Sequence, residues 1–326
     1  MAEITLVEAI NQALAYEMQA DPNVIVLGED VGKNGGVFRA TVGLLDRFGP
    51  ERVKDTPLAE SMIAGLAIGM AVRGLKPVAE FQFMGFIYPA LDQIINHAAR
   101  FRNRTRGRMS CPAVFRTPYG AGIHAPEHHS ESTEAIFAHI PGLRVVIPSS
   151  PQRAYGLLLA AIRDPDPVIF LEPSRLYRWA KQEVPDDGKA LPLDVCFTLR
   201  QGNDVTLVTW GAMLKETLEA SAKLTEQGVS VEVIDVATIK PLDIDTILAS
   251  VEKTGRCIII HEAARTCGVG AEIAAEIAEK ALFSLKAPIQ RVAGYDTIVP
   301  YARMEKFYIP SSQRIIDAVS AVMEFA

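Results

Sequence analysis

Short runs of β-branched residues alternate, along the first half of the chain, with segments rich in small residues, the pattern of parallel strands covered by helices. The apolar runs predict strands at Val24 to Leu27, Pro77 to Phe81, Ala113 to Arg116, Arg144 to Ile147 and Val168 to Leu171. Between them, helices are expected near Thr5 to Met18, Ser61 to Arg73, Tyr88 to Arg100 and Pro151 to Ile162. Proline and charge gather from Trp179 to Leu193 without apolar periodicity, which predicts an exposed connection between domains. Past Asp204 the alternation restarts, with strands at Val205 to Thr209, Val229 to Ile234, Cys257 to His261 and Ile289 to Val292. The accompanying helices are Leu214 to Gln227, Ile244 to Lys253 closed by Gly255, Gly270 to Leu285 and Ser312 to Phe325. The expectation is therefore α/β with two domains: residues 1–185, a linker over 186–204, and a smaller domain over 205–326.

Composition narrows the partners. A chain of 326 residues, 49% hydrophobic and 22% charged, has room for two ordinary cores. Its net charge of −6 and pI near 5.6 give no global attraction to nucleic acid or to an anionic membrane. Locally, Arg100, Arg102, Arg104, Arg106 and Arg108 alternate after an apolar helix, which predicts a solvated face or a subunit contact. Cys111, Cys196, Cys257 and Cys267 are far apart, with no zinc or disulfide spacing, and fit a reducing cytosol. Met1 to Thr5 shows neither a basic nor an Arg-rich leader, and no uncharged stretch approaches a membrane span. A cytoplasmic chain is expected.

Five segments are candidates for chemistry. Glu60 closes Asp55-Thr56-Pro57-Leu58-Ala59-Glu60-Ser61 ahead of a helix containing Gly65, Ala67, Gly69, Ala71 and Gly74. A carboxylate is costly to desolvate unless paired, and small residues behind it let a ligand come close. The alternative is an exposed first-turn Glu favoured by the helix dipole. Gly32-Lys33-Asn34-Gly35-Gly36 and Gly268-Val269-Gly270 lack the phosphate-loop and dinucleotide spacings, and predict a flexible loop and a plain helix start. His124, His128 and His129 cluster, but Pro126 interrupts the helix that His-x-x-x-His chelation needs, so a loop displaying acid/base groups is expected. His129 there is either a proton donor near neutral pH or a histidine tied to loop backbone. Ala160 to Pro167 ends a helix with two carboxylates. It is either an all-oxygen nest for a hard cation or a simple proline turn.

Taken in order, several segments resemble the beta subunit of the heterotetrameric, thiamine-diphosphate-dependent 2-oxo acid dehydrogenases. They are Gly28-Glu29-Asp30-Val31, Gly35-Gly36-Val37-Phe38, the Glu60 segment, Glu80-Phe81-Gln82-Phe83, His129-Ser130, Pro141-Gly142-Leu143, the Ile162 turn and Lys253-Thr254-Gly255-Arg256. The likeness spans essentially the whole chain. It implies an amino-terminal pyrimidine-binding domain with a parallel sheet and a transketolase-like carboxy-terminal domain. It implies that Glu60 hydrogen-bonds the cofactor pyrimidine, with Glu29, Leu58, Gln82 and Phe86 around the ring. Phe86 stands where some members have tyrosine, so the ring can still stack but offers no hydroxyl. The resemblance further implies that His129 donates a proton in reductive acyl transfer. It implies a potassium site from the carbonyls of Ala113, Ala161 and Ile162 with Asp164 and Asp166, the last replacing an asparagine of some relatives.

The family's Gly-Asp-Gly…Asn-Asn motif for diphosphate and magnesium is absent here and belongs to an alpha subunit. The implied assembly is two alpha and two beta chains that dock a lipoyl acyltransferase core and act on a 2-oxo acid. Pyruvate is the expected substrate, and branched-chain 2-oxo acid and acetoin dehydrogenases are the alternatives. Gly294-Tyr295-Asp296-Thr297 and Pro300-Tyr301-Ala302 resemble the part that contacts the core. Two rivals remain from the residues alone. An NAD-dependent dehydrogenase needs a complete Gly-x-Gly-x-x-Gly after a strand, which is missing, and a non-catalytic scaffold subunit would leave Glu60 structural.

Overall fold

The computed structural model describes residues 3–325; Met1, Ala2 and Ala326, the ends of the expected domains and of the leader-free start, lie outside the described residues. The chain divides into two compact units. The chain up to Tyr119 together with Ile136–Leu193 forms the first, and Gly120–Ala135 with the chain from Asp194 onward forms the second.

The first unit contains β1 (Glu3–Thr5), α1 (Leu6–Ala20), β2 (Val24–Gly28), α2 (Leu44–Phe48), β3 (Val53–Asp55), α3 (Glu60–Val72), β4 (Lys76–Glu80), α4 (Leu91–Gln93), α5 (Phe101–Arg104) and β5 (Val114–Tyr119). The chain re-enters it through α6 (Glu134–Ala138) and continues with β6 (Arg144–Val146), α7 (Pro151–Arg163), β7 (Val168–Pro173) and β8 (Lys181–Glu183). Its sheet runs β6-β7-β5-β4-β2-β3 with every pair parallel. All residues of β2, β5 and β7 are buried, as helices on both faces require. Local signals place the helix starts. The Glu8 carboxylate accepts from the Thr5 amide and hydroxyl, both at 2.7 Å, and Pro151 opens α7 with Ser150 as its cap.

Two expectations fail here. The helix expected over Tyr88 to Arg100 is broken into a 3-10 segment (Met84–Ala90), α4, a π turn (Ile94–Ala98) and α5. Pro89 has no amide hydrogen to donate, and the π turn inserts an extra residue into the ladder. The exposed linker over Trp179 to Leu193 is instead part of the first unit. There β8 pairs antiparallel with β1, Val184 and Leu193 are buried, and the Tyr155 hydroxyl donates to Asp186 at 3.1 Å. Residues 186–204 are not all linker either, because they include a strand of the second sheet.

That strand is β9 (Phe197–Arg200), followed by β10 (Val205–Thr209), α8 (Leu214–Glu226), β11 (Val231–Asp235), β12 (Thr238–Lys240), α9 (Ile244–Thr254), β13 (Cys257–Ala264), α10 (Val269–Lys280), β14 (Gln290–Gly294), α11 (Ala302–Tyr308) and α12 (Ser312–Met323). The sheet order is β14-β13-β10-β11-β9, parallel except for β9. Val205, Leu207, Val233, Ile258 and Ile260 form its core with Leu224, Ile315 and Val319. Each such side chain contributes about 1.5–3 kcal/mol by leaving water, more than the ~1 kcal/mol of a cap such as Asp243 on Thr246. Gly255 closes α9 in the left-handed conformation. The glycines of Gly268-Val269-Gly270 have a packing reason, since a Cβ on Gly270 would lie 2.7 Å from His261 Nε2. All four cysteines are free. Among the described residues no helix is long and apolar enough to cross a membrane.

Candidate active site

The first unit carries two carboxyl groups at adjacent turns. Glu60 is the first residue of α3, where the helix dipole favours its charge. After Ser61 that helix is apolar throughout, and it buries Ile63, Ala64, Ala67, Ile68 and Ala71. Glu29 follows the last residue of β2 and is only 8% exposed, with Oε1 lacking a hydrogen-bond partner among the described residues. Burial pushes the Glu29 carboxyl above the usual range, and the charges of Glu60 and Asp30 push it further. The Thr56 backbone amide donates to the Gly28 carbonyl at 3.0 Å, and its hydroxyl is also buried without a partner among the described residues. A buried acid that holds its proton more tightly than a free carboxyl, beside a second carboxylate, offers a donor in its protonated form and acceptors in its ionised form. That is the chemistry a nitrogen-rich ring requires.

Other expected site residues join this place unevenly. Gln82 donates from Nε2 to Asp30 Oδ2 at 3.3 Å. Phe86 meets Phe83 edge-on at 5.8 Å, Phe83 meets Phe38 at 5.5 Å, and Phe38 meets Tyr177 at 5.1 Å. Leu58 points outward, 79% exposed. The glycine loop expected to be flexible is a closed turn, with the Gly32 amide donating to Asp55 Oδ1 at 2.6 Å and the Gly36 amide to the Asp30 carbonyl at 2.8 Å.

Tyr177, at the end of the aromatic row, joins a buried charge cluster that sequence reasoning does not single out. Arg116, on β5, donates from Nε and Nη2 to the two carboxylate oxygens of Glu172 at 2.6 and 2.7 Å, and from Nη1 to Glu80. The Tyr177 hydroxyl donates to Glu172 at 2.6 Å. Burial opposes the arginine's charge, but Glu172 and Glu80 more than restore it; burial meanwhile raises Glu80, and raises Tyr177 well above 10. The only signal in the chain is a single charge within each of three apolar runs.

The histidine loop belongs to the second unit, which holds it by buried acids. Glu262 accepts from the Ala121 amide at 3.0 Å. Glu305, on α11, accepts from the Gly122 and His124 amides at 2.6 and 3.2 Å and pairs with His124 Nδ1 at 2.7 Å. Glu134 accepts from Trp210 Nε1 at 3.1 Å. His128 and His129 end a 3-10 turn with ring centroids 4.1 Å apart. Burial lowers His129, His128 lowers it further, and Glu127 partly opposes both. A largely neutral imidazole results at pH 7, with one nitrogen to donate and one to accept.

At the end of α7, the carbonyls of Ala161 and Ile162 fall among the last four of the helix. The Ala113 carbonyl accepts from Val168 at 3.0 Å. Asp164 receives Arg144 Nε at 2.9 Å, and Asp166 receives Arg102 Nε at 2.7 Å. The donor set is all oxygen, as a hard cation requires, but both carboxylates already serve guanidinium groups.

Comparison with known proteins agrees with this architecture. Residues 2–180 match the transketolase pyrimidine binding domain and residues 196–315 the transketolase C-terminal domain. The pyruvate dehydrogenase E1 component subunit beta of Staphylococcus epidermidis is 50% identical over 325 residues, covering 100% of each chain. Those of Bacillus subtilis and Staphylococcus aureus are 48% identical over the same span and coverage. A solved split-gene transketolase, an inactive beta4 tetramer, has the same fold, with a TM-score of 0.82 at 21% identity over 99% of each chain. The chain therefore belongs to the family of pyruvate dehydrogenase E1 component beta subunits, built from transketolase-type pyrimidine-binding and C-terminal domains.

Proposed function

We propose that this chain is the pyrimidine-binding half of a pyruvate dehydrogenase: it acts with an alpha subunit, two of each, in the oxidative decarboxylation of pyruvate and the reductive acylation of a lipoyl group. The observation that carries the reading is Glu29, buried beside Glu60 with an oxygen unpartnered. Thiamine diphosphate, when bound, supplies the electron sink for decarboxylation. Glu60 would hydrogen-bond its pyrimidine, Glu29 would hold a proton nearby, and Gln82 and Phe86 would line the ring with Leu58. The alpha subunit, which would bring the diphosphate and magnesium, gives exposed Leu58 something to pack against. His129 would donate a proton to the acyl acceptor on the lipoyl acyltransferase core. Residues 1–185 would carry the pyrimidine site and 205–326 the partner-binding domain. Potassium would take the oxygens of Ala113, Ala161, Ile162, Asp164 and Asp166, competing with Arg102 and Arg144.

Coexpression with an alpha subunit tests the proposal. The pair should decarboxylate pyruvate faster than 3-methyl-2-oxobutanoate, and neither chain alone should turn over. Glu60→Gln keeps the shape and removes the charge; a rate loss of about a hundredfold or more is expected from the loss of a proton-transfer partner. Unchanged turnover in the assembled Glu60→Gln enzyme, or full activity from this chain alone, would overturn the reading.

A further inference from the structure

Gly142 and Leu143, in the turn after Pro141, and two arginines after the broken helix, Arg102 and Arg106, wall a single cavity of about 520 Å³ in the first unit. Gly142, at φ +92°, shapes the wall, because a Cβ there would lie 2.1 Å from the Ala99 carbonyl oxygen. Arg102, Arg106 and Arg144 line the cavity. The Nε atoms of Arg102 and Arg144 are spent on Asp166 and Asp164. Nη1 of Arg144 is buried and has no hydrogen-bond partner among the described residues. Three guanidinium groups thus stand against two carboxylates, which leaves an excess positive charge and a desolvated donor without an acceptor.

We propose that this cavity binds a phosphate-bearing small molecule of nucleotide or sugar-phosphate size. A guanidinium presents a planar fork of donors that fits phosphate oxygens two at a time. The volume is far larger than one phosphate and falls within the roughly 300–1,000 Å³ of small-molecule sites. Ala98, Leu143 and Pro167 supply an apolar wall for the body of the ligand. The phosphate neutralises Arg106, the guanidinium that neither carboxylate holds, with Arg144 adding positive charge to the same wall. The site is separate from Glu29 and Glu60 and does not depend on the thiamine reading.

Calorimetric titration of the full chain, and of its assembly with an alpha subunit, tests this with AMP, ribose 5-phosphate and adenosine at low ionic strength. At least one phosphate ester should bind saturably, more weakly as salt is added, while adenosine should not bind. Arg106→Ala, an exposed position, and Arg144→Gln should each weaken binding by about tenfold or more, with Tm measured to show that the variants are folded. Three results overturn the proposal: no saturable binding of either ester at millimolar concentration, equal binding by the folded variants, or binding that disappears on assembly. The last would assign the cavity to an acidic segment of the partner.

Discussion

The two units share an α/β plan but bury different things. The centre of the first sheet holds an arginine forked onto one glutamate and bonded to another, with a phenol closing the set. The second sheet packs an aliphatic core, and two buried acids of that unit, Glu262 and Glu305, accept amide hydrogens from the 120–135 loop. Buried charge is expensive, so each unit spends it on a segment that must keep one position. In the first that segment is Tyr177, held by Glu172 and meeting Phe38; in the second it is the loop bearing His129.

The largest test of this contrast is Arg116→Met, which strands Glu80 and Glu172 and should cost about 3–5 kcal/mol in urea unfolding. A cost below that of Leu207→Ala in the aliphatic core would break the comparison. Next is acid. His261, stacked on Trp210 at 5.1 Å, is pushed by burial down to about 4, partly opposed by the Ala263 backbone. Between pH 6.5 and 4 the unfolded chain takes a proton that the folded chain refuses. Stability should therefore fall with pH in that window, by about 3 kcal/mol in all. Unfolding curves of His261→Gln at pH 7.5, 6 and 5 should show a shallower fall than wild type.

Smaller again is Glu305→Gln. It swaps one acceptor oxygen for a donor facing the loop amides and should cost about 1–3 kcal/mol. Faster proteolysis between Gly120 and Ser130 is the sharper readout, and unchanged cleavage would remove Glu305 as an anchor. The smallest effect is expected of Glu29→Gln. With its folded carboxyl pKa raised, Glu29 loses stability as pH climbs above about 4.5, so the neutral substitute should slightly raise Tm at pH 7 and leave it level at pH 4. An equal shift at both values would show that Glu29 is not held by burial.

Strand and helix order can be read from the chain because apolar runs, small-residue helices and caps such as Ser150-Pro151 and Gly255 are local signals. Pro89 is visible in the sequence, but the periodicity on either side of it continues and hides the break. Trp179 to Leu193 looks like a linker because its buried residues, Val184 and Leu193, are isolated, and β8 gains its order only by pairing with β1. In the candidate site, Glu60 draws notice through its neighbours in sequence. Arg116, Glu305 and Arg144 do not, because each acquires its role from a partner well removed along the chain.

The sequence by itself determined the two α/β halves, the family and the carboxylate at the head of α3, since these rest on residue type and spacing along the chain. Tertiary structure alone decided that Glu29 is desolvated beside Glu60, that Arg116 joins β4, β5 and β7, and that three arginines converge on one cavity. Desolvation and Coulomb energy depend on distance through space, and a one-dimensional pattern carries no such distance.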